Sequence, residues 1–159
     1  MRLTLMTDYA LRLLMYVAQR PDRLCTIAEV AGAHGISEAH LMKVTHLLGR
    51  AGHLETVRGK GGGMRLAVAP EGINLGAVVR ATEPDFMLVE CFSQQTGCAL
   101  TGHCRLAGVI SGALDAFLAH LDARTLADLI GKRPAIPVAM PARHVAARPH
   151  ARRAVAARP

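Results

Sequence analysis

Aromatic side chains are scarce in this sequence: its 159 residues contain two Tyr, three Phe and no Trp. Proteins that stack single-stranded bases need aromatic platforms, so we do not expect that mode of nucleic-acid binding. The longest unbroken apolar run, residues 13–18, is far shorter than a membrane span. The N-terminal stretch also mixes charged with apolar residues, which is atypical of a signal peptide. We therefore expect a cytoplasmic protein that has no membrane partner and keeps its four Cys reduced.

Acidic residues are absent from residues 132–159, which hold seven basic residues and five of the eight prolines. This composition predicts a disordered tail, either a solvated extension or an arm that binds phosphates without specificity. Residues 1–66 carry nine basic and five acidic residues, whereas residues 67–131 carry three and seven. A basic front in a chain of net charge +7 indicates nucleic acid as the partner.

Apolar residues recur at helical spacing through most of residues 1–131, so the expected fold is mainly α-helical with a small β-wing. A first helix, capped by Thr4 or Thr7, is predicted to end before Pro21. The later predicted elements, in chain order, are a helix over residues 26–34, a helix capped by Ser37 that runs to about Gly49, strands over residues 54–57 and 64–68, a helix over about residues 74–83, and a long helix with an apolar stripe from Leu106 to Leu121.

Two short helices joined at residues 35–37, and followed by a glycine-rich hairpin, have the order of a winged helix-turn-helix. A helix fits the DNA major groove, and its outward polar side chains reach base edges or phosphates. The wing could instead be a plain loop, or a phosphate cradle for a nucleotide, but it lacks the Lys-Ser/Thr ending of a P-loop. The outward residues of the second helix could equally be an ordinary solvated face. The candidate DNA-binding residues are Ser37, His40, Lys43 and His46 around the helix, and Arg58, Lys60, Gly61 and Arg65 in the wing.

Three cysteines, Cys91, Cys98 and Cys104, lie close together between two predicted helices. Thiolates at this density favour zinc, copper(I) or an iron–sulfur cluster. Three unligated buried cysteines, or one disulfide with a spare thiol, are the alternatives. A fourth ligand would come from Cys25, His103 or a carboxylate, although the isolated position of Cys25 is more typical of a small buried apolar residue.

These motifs together resemble the Rrf-type winged-helix family of transcriptional regulators, and within it the nitric-oxide-sensing repressors. The resemblance covers about residues 1–131 and includes the three-cysteine loop. The matching segments are MRLT, TDYALRLLMYVA, AGHLETVRGKGGGMRL and LADLI. Combined with the patterns above, it divides the chain into a DNA-binding domain (1–83), a cluster loop with a dimerisation helix (84–131) and the tail (132–159).

The resemblance implies a homodimer that binds palindromic double-stranded operator DNA and is paired through the long helix, which it predicts over about Arg105 to Ile130. It implies that Cys91, Cys98 and Cys104 hold an iron–sulfur cluster, with 4Fe–4S favoured and 2Fe–2S possible. The fourth ligand in such repressors matches Asp8 of the partner subunit, and we expect Arg12 to hold that carboxylate in place. Another branch of the family uses a His three residues after its last Cys, where this chain has Ala107. Nitric oxide would then displace Asp8 and release the repressor from its operator.

Three other functions stay open at this point. The chain could be a member of the same family that does not sense nitric oxide, a zinc-stabilised DNA-binding module, or a redox sensor based on reversible disulfides. We do not expect an enzyme, because the sequence shows no nucleophile–base pair, no paired carboxylates and no nucleotide-binding loop.

Overall fold

The computed structural model describes residues 2–89, 92 and 104–131. Cys91, Cys98, His103 and the predicted tail lie outside the described residues. The elements are α1 (Leu5–Ala18), α2 (Ile27–His34), α3 (Glu38–Arg50), β1 (Leu54–Val57), β2 (Gly63–Leu66), a 3-10 turn (Pro70–Gly72), α4 (Leu75–Thr82), α5 (Arg105–Asp122) and α6 (Leu126–Ile130). In the described part of the chain, no helix combines the length and apolar character that crossing a membrane requires.

The first three helices begin at hydroxyl side chains that accept hydrogen bonds from their first turns. Thr4 accepts from the Thr7 amide and Ser37 from the His40 amide, as predicted, while Thr26 and Glu29 form a capping box. Gly35 ends α2 with φ at 65°, a left-handed conformation that glycine adopts without a Cβ penalty. The turn between α2 and α3 is therefore encoded locally.

Helix α1 lies at the centre of the core and packs against α2, α3, α4, α6 and β2. One face of α1 and one face of α3 are buried together, which is what their apolar spacing predicts. Burying a large apolar side chain stabilises the fold by about 1.5–3 kcal/mol. The fully buried residues of these two helices include Leu13, Leu14 and Tyr16 from α1 and Leu41, Val44 and Leu48 from α3.

The wing is a two-stranded antiparallel hairpin in which Leu54 pairs with Leu66 and Val57 with Gly63. The second strand ends at Leu66, short of the predicted residue 68. Met64 and Cys25 exchange backbone hydrogen bonds of 2.8 and 2.9 Å, which attach the hairpin to the chain before α2. A Cβ at position 63 would lie 2.7 Å from the Cys25 carbonyl oxygen, so this close approach needs a glycine.

The predicted long helix is wrong in one respect, because α5 ends at Asp122 and α6 is a separate helix. The side-chain amide of Asn74 donates hydrogen bonds of 2.6 and 3.3 Å to the backbone carbonyl oxygens of Asp122 and Arg124. These bonds stabilise the chain where it leaves α5, and fully buried Leu126 then anchors α6 in the core. In the sequence, the start of α6 is indicated by Thr125, which forms a capping box with Asp128.

The C-terminal end of α5 is held against α4 by a bidentate ion pair. The Arg80 guanidinium donates to both carboxylate oxygens of Asp122 at 2.6 and 2.7 Å. Gly76, one turn before Arg80, is buried beneath this pair. A Cβ built on Gly76 would collide with the Asp122 carboxylate.

Replacing Gly76 by Ala is expected to displace the Arg80–Asp122 pair and lower the free energy of unfolding by about 1–3 kcal/mol. Urea denaturation followed by circular dichroism measures this. Gly32→Ala in α2 is the matched control, because nothing lies within 4 Å of its built Cβ. Since alanine favours helix, the control should gain up to about 1 kcal/mol. Equal stability of the two variants would contradict the packing argument.

Candidate functional site

An open groove of about 880 Å³ runs between α3 and the first wing strand. Because Leu41, Val44 and Leu48 are buried, the opposite face of α3 is exposed and lies along this groove. A protruding helix beside a hairpin has the shape that major-groove readers use. The described groove residues include Met42, His46, Arg50, Thr56 and Arg58.

All four residues predicted around the recognition helix are exposed: Ser37, His40, Lys43 and His46. His40 is also held in place, since its Nδ1 lies 2.8 Å from the Ser37 hydroxyl. The Tyr9 ring of α1 lies against the His40 ring at a centroid distance of 5.9 Å. The N-terminal turn of α3 is therefore in direct contact with the first turns of α1.

The wing presents its predicted residues to solvent, with Arg58, Lys60 and Gly61 at the hairpin tip. Gly61 has a φ of 79°, which explains the glycine at that turn. Arg65 is exposed as well, but its Nε donates to Glu55 at 2.9 Å across the two strands. This hydrogen bond lowers the pKa of the Glu55 carboxyl and raises the pKa of Arg65. Arg65 must therefore share its charge with Glu55 in any phosphate contact.

Two exposed side chains of α3 that line the groove, Met42 and Arg50, were not predicted as DNA-binding residues. Both belong to an i, i+4, i+8 series with His46, so helical spacing alone places all three on one face. That spacing was the signal by which Met42 and Arg50 could have been found.

On α1, Asp8 and Arg12 form the side-by-side pair that an i, i+4 spacing predicts. Arg12 Nε lies 3.0 Å from one carboxylate oxygen of Asp8, and a terminal guanidinium nitrogen lies 2.9 Å from the other. The side chains of Asp8 and Arg12 remain 42% and 47% exposed. The Asp8 carboxylate is thus on the outer surface of α1, where a second chain has access to it.

Cys104 is the one member of the predicted cysteine trio within the described residues. It is half-buried, forms no disulfide and occupies the N-cap of α5, where its side chain accepts no capping hydrogen bond. Within residues 2–89, 92 and 104–131, no group of three His, Cys, Asp or Glu side chains is arranged to hold a metal ion. The four-ligand set, which includes Cys91 and Cys98, stays a prediction.

Cys25 lies in the hydrophobic core and is fully buried. Burial raises the pKa of its thiol, with Arg23 opposing the shift. Its position agrees with the sequence interpretation of a small buried apolar residue.

A polar cluster that the sequence analysis did not predict joins the start of α1 to the end of α4. One carboxylate oxygen of Glu83 accepts from the Thr4 amide at 2.8 Å and from the hydroxyl groups of Thr4 and Thr7. The Thr7 hydroxyl also lies 2.8 Å from that of Thr82, and both threonines are buried. Glu83 begins the segment that leads to the cysteine loop, so this cluster connects that segment to the helix carrying Asp8.

Residues 3–132 match the model of the Rrf2 family, which is described as an iron-dependent transcriptional regulator. The chain belongs to the Rrf2 family. It is 52% identical over 132 residues to the HTH-type transcriptional regulator NsrR of Halalkalibacterium halodurans, an alignment that covers 82% of this chain and 90% of that protein. It is also 49% identical to NsrR of Bacillus subtilis, with the same coverage of both chains. This Rrf2 protein is therefore a transcriptional regulator of the NsrR type.

Solved structures show the same fold. A transcriptional regulator from Listeria innocua superposes with a TM-score of 0.69 at 26% identity and covers 84% of this chain and 89% of its own. CymR, the global cysteine regulator of B. subtilis, superposes with a TM-score of 0.64 at 23% identity, covering 84% and 99%. IscR of T. potens has the same TM-score and identity, covering 82% and 86%. The predicted winged helix is confirmed, and a regulator of this fold binds DNA.

Lys60 tests the contribution of the wing to DNA affinity. Because this exposed cation has no ion-pair partner within the described residues, we expect Lys60→Ala to weaken binding to all duplex sequences alike. The slope of log affinity against log salt should fall by about one unit per subunit. Fluorescence anisotropy at several salt concentrations measures this, with Arg124→Ala, between α5 and α6, as the control. A loss confined to one base position would contradict a phosphate contact.

Proposed function

We propose that this Rrf2 regulator is a homodimeric repressor of palindromic operator DNA that senses nitric oxide through an iron–sulfur cluster. Cys91, Cys98 and Cys104 of one protomer and Asp8 of the other are the proposed ligands. The observation that carries the proposal is the position of Asp8, which is accessible on α1 while the adjacent Tyr9 contacts His40 of the recognition helix. Adjacent residues of α1 thus provide a proposed cluster ligand and a contact with the proposed recognition helix.

The proposed DNA contacts come from the outward face of α3 and from the wing. Base-edge contacts are assigned to His40, Lys43 and His46, and phosphate contacts to Ser37 and to the wing residues. In a symmetric dimer the two α3 helices read half-sites about one DNA turn apart, so their separation decides whether both can bind. A change at the dimer interface therefore alters operator affinity.

The proposed dimer forms along α5, which carries an apolar stripe. Within the described chain none of its residues is buried, and Leu106 and Val109 are 61% and 68% exposed. A helix with this pattern needs a partner, and a second copy supplies the same stripe by two-fold symmetry. The remaining stripe residues are Ile110, Ala113, Leu114, Phe117 and Leu121.

The described ligand candidates fit an iron–sulfur cluster by their chemistry. Cys104 has a free thiol at a helix N-terminus, where the helix dipole favours negatively charged groups, and Asp8 offers an accessible carboxylate. Three thiolates and one oxygen suit iron, and we propose the 4Fe–4S form, with 2Fe–2S as the other outcome of spectroscopy. Such ligands must be reduced, which agrees with a cytoplasmic location.

When bound, the cluster would supply iron atoms able to react with nitric oxide, and the Asp8 carboxylate would be one of the groups that hold it. Arg12 is already placed to receive the freed Asp8, since its two nitrogens lie about 3 Å from the two carboxylate oxygens. We therefore propose that Arg12 holds the Asp8 carboxylate in place while it is a ligand and pairs with it after its release. Moving the operator-bound population from 99:1 to 1:99 requires about 5.5 kcal/mol of difference between the two states.

Cys98→Ala is expected to abolish the visible absorbance, the bound iron and the response of operator binding to nitric oxide. The reason is that one thiolate ligand is lost. Absorption and Mössbauer spectra of anaerobically purified protein, with anisotropy on operator DNA before and after nitric oxide, measure all three. Cys25→Ala is the matched control and should keep its iron, because Cys25 lies in the core. A colourless wild-type protein that still binds operator tightly would overturn the proposal.

Asp8→Ala tests whether Asp8 couples the cluster to operator binding. With three thiolates intact, the variant should retain some cluster. Its change in operator Kd on addition of nitric oxide should be at least about tenfold smaller than that of the wild type, ~1.4 kcal/mol. Asp22→Ala, an exposed carboxylate change beyond α1, is the control. A wild-type response in Asp8→Ala would contradict the ligand assignment.

A further inference from the structure

Met42 is an exposed apolar side chain on the outward face of α3. It is 55% exposed and is not part of the hydrophobic core, whereas its neighbours Leu41 and Val44 are fully buried. His46 and Arg50 follow one and two helical turns later on the same face. Met42 therefore projects from the proposed recognition helix rather than stabilising the domain.

Charged side chains surround Met42 in the groove between α3 and β1. They are the cations Arg50 and Arg58 and the carboxylate of Glu55, which is paired with Arg65. Cations of this kind attract phosphates, which position a protein on DNA without reading its sequence. An apolar side chain in the same groove contributes little to that attraction and is suited to a different task.

Among the base edges in the major groove, the 5-methyl group of thymine is the apolar feature. The methionine side chain is flexible and polarisable, so it adapts to a small apolar partner. Ile27, half-buried at the start of α2, lines the same groove and adds a second apolar contact surface. The groove thus offers a small apolar patch among charged side chains.

We propose that Met42 contacts the 5-methyl group of one thymine in each half-site and thereby sets a thymine preference at that position. This inference rests on the proposed function, since it requires sequence-specific DNA binding. Burial of one methyl group corresponds to about fourfold in affinity for each half-site.

The test uses the full-length, anaerobically purified protein and a duplex that it enriches from a random pool. Each thymine of the enriched duplex is replaced in turn by deoxyuridine, which removes only the 5-methyl group. For the wild type, replacement at one symmetric pair of positions should weaken binding by about tenfold or more, about fourfold for each half-site. Anisotropy titration measures the ratio of the two dissociation constants.

Met42→Ala should weaken binding to the thymine duplex and bring the thymine-to-deoxyuridine ratio close to one. Met87→Ala is the matched control, because this methionine is 53% exposed and lies outside the groove; it should keep the wild-type ratio. Lys43→Gln should bind both duplexes more weakly and also keep the ratio. Circular dichroism confirms that Met42→Ala is folded, as expected for an exposed position.

Two outcomes overturn the inference alone: an enriched duplex whose affinity is unaffected by every deoxyuridine replacement, or a Met42→Ala protein that keeps the wild-type ratio. A pool that yields no preferred duplex would overturn the proposed function, and this inference with it.

Discussion

The burial of α1 is the constraint on which the other features of this molecule depend. Its inner face, with Leu13, Leu14 and Tyr16 fully buried, contacts four other helices and the wing. Its outer face carries Asp8 in the first turn. Because protein interiors are close-packed, α1 cannot shift without moving the elements packed against it. A displacement of its first turn is therefore transmitted to α3 and the wing, so the proposed ligand role of Asp8 would couple the cluster to the proposed DNA-binding surface.

The polar cluster around Glu83 adds a second, directional constraint at the same end of α1. Thr4, Thr7 and Thr82 converge on this carboxylate or on one another, and two of the three are buried. A buried polar network is stable when all its members are satisfied and costly when one partner leaves. Separating the start of α1 from the segment after α4 would leave buried polar groups without partners, so the two are held together strongly. Displacement of that segment would carry the first turn of α1 with it.

The features that were predicted correctly from the sequence depend on residues close together in the chain. Ser37 caps α3 through a bond three residues away, and the outward face of α3 follows from its spacing. Met42, Arg50 and the capping box that begins α6 had local signals that were missed, whereas the other missed features depend on distant partners. The end of α5 is determined by Asn74, 48 residues before Asp122, and the Glu83 cluster joins residues 75 to 79 positions apart. No periodicity encodes such pairs, whereas the Asp8–Arg12 pair follows from one helical turn.

Both proposed ligands in the described residues lie at the N-terminal ends of helices that are anchored further along their length. Cys104 begins α5, and the far end of α5 is fixed to α4 by the Arg80–Asp122 pair over Gly76. Asp8 lies in the first turn of α1, whose following turns are in the core. A helix transmits displacement along its axis because its backbone hydrogen bonds hold each turn to the next. Binding these two ends across a dimer would therefore fix the relative position of two winged-helix domains, and releasing one would free them, without any change inside either core.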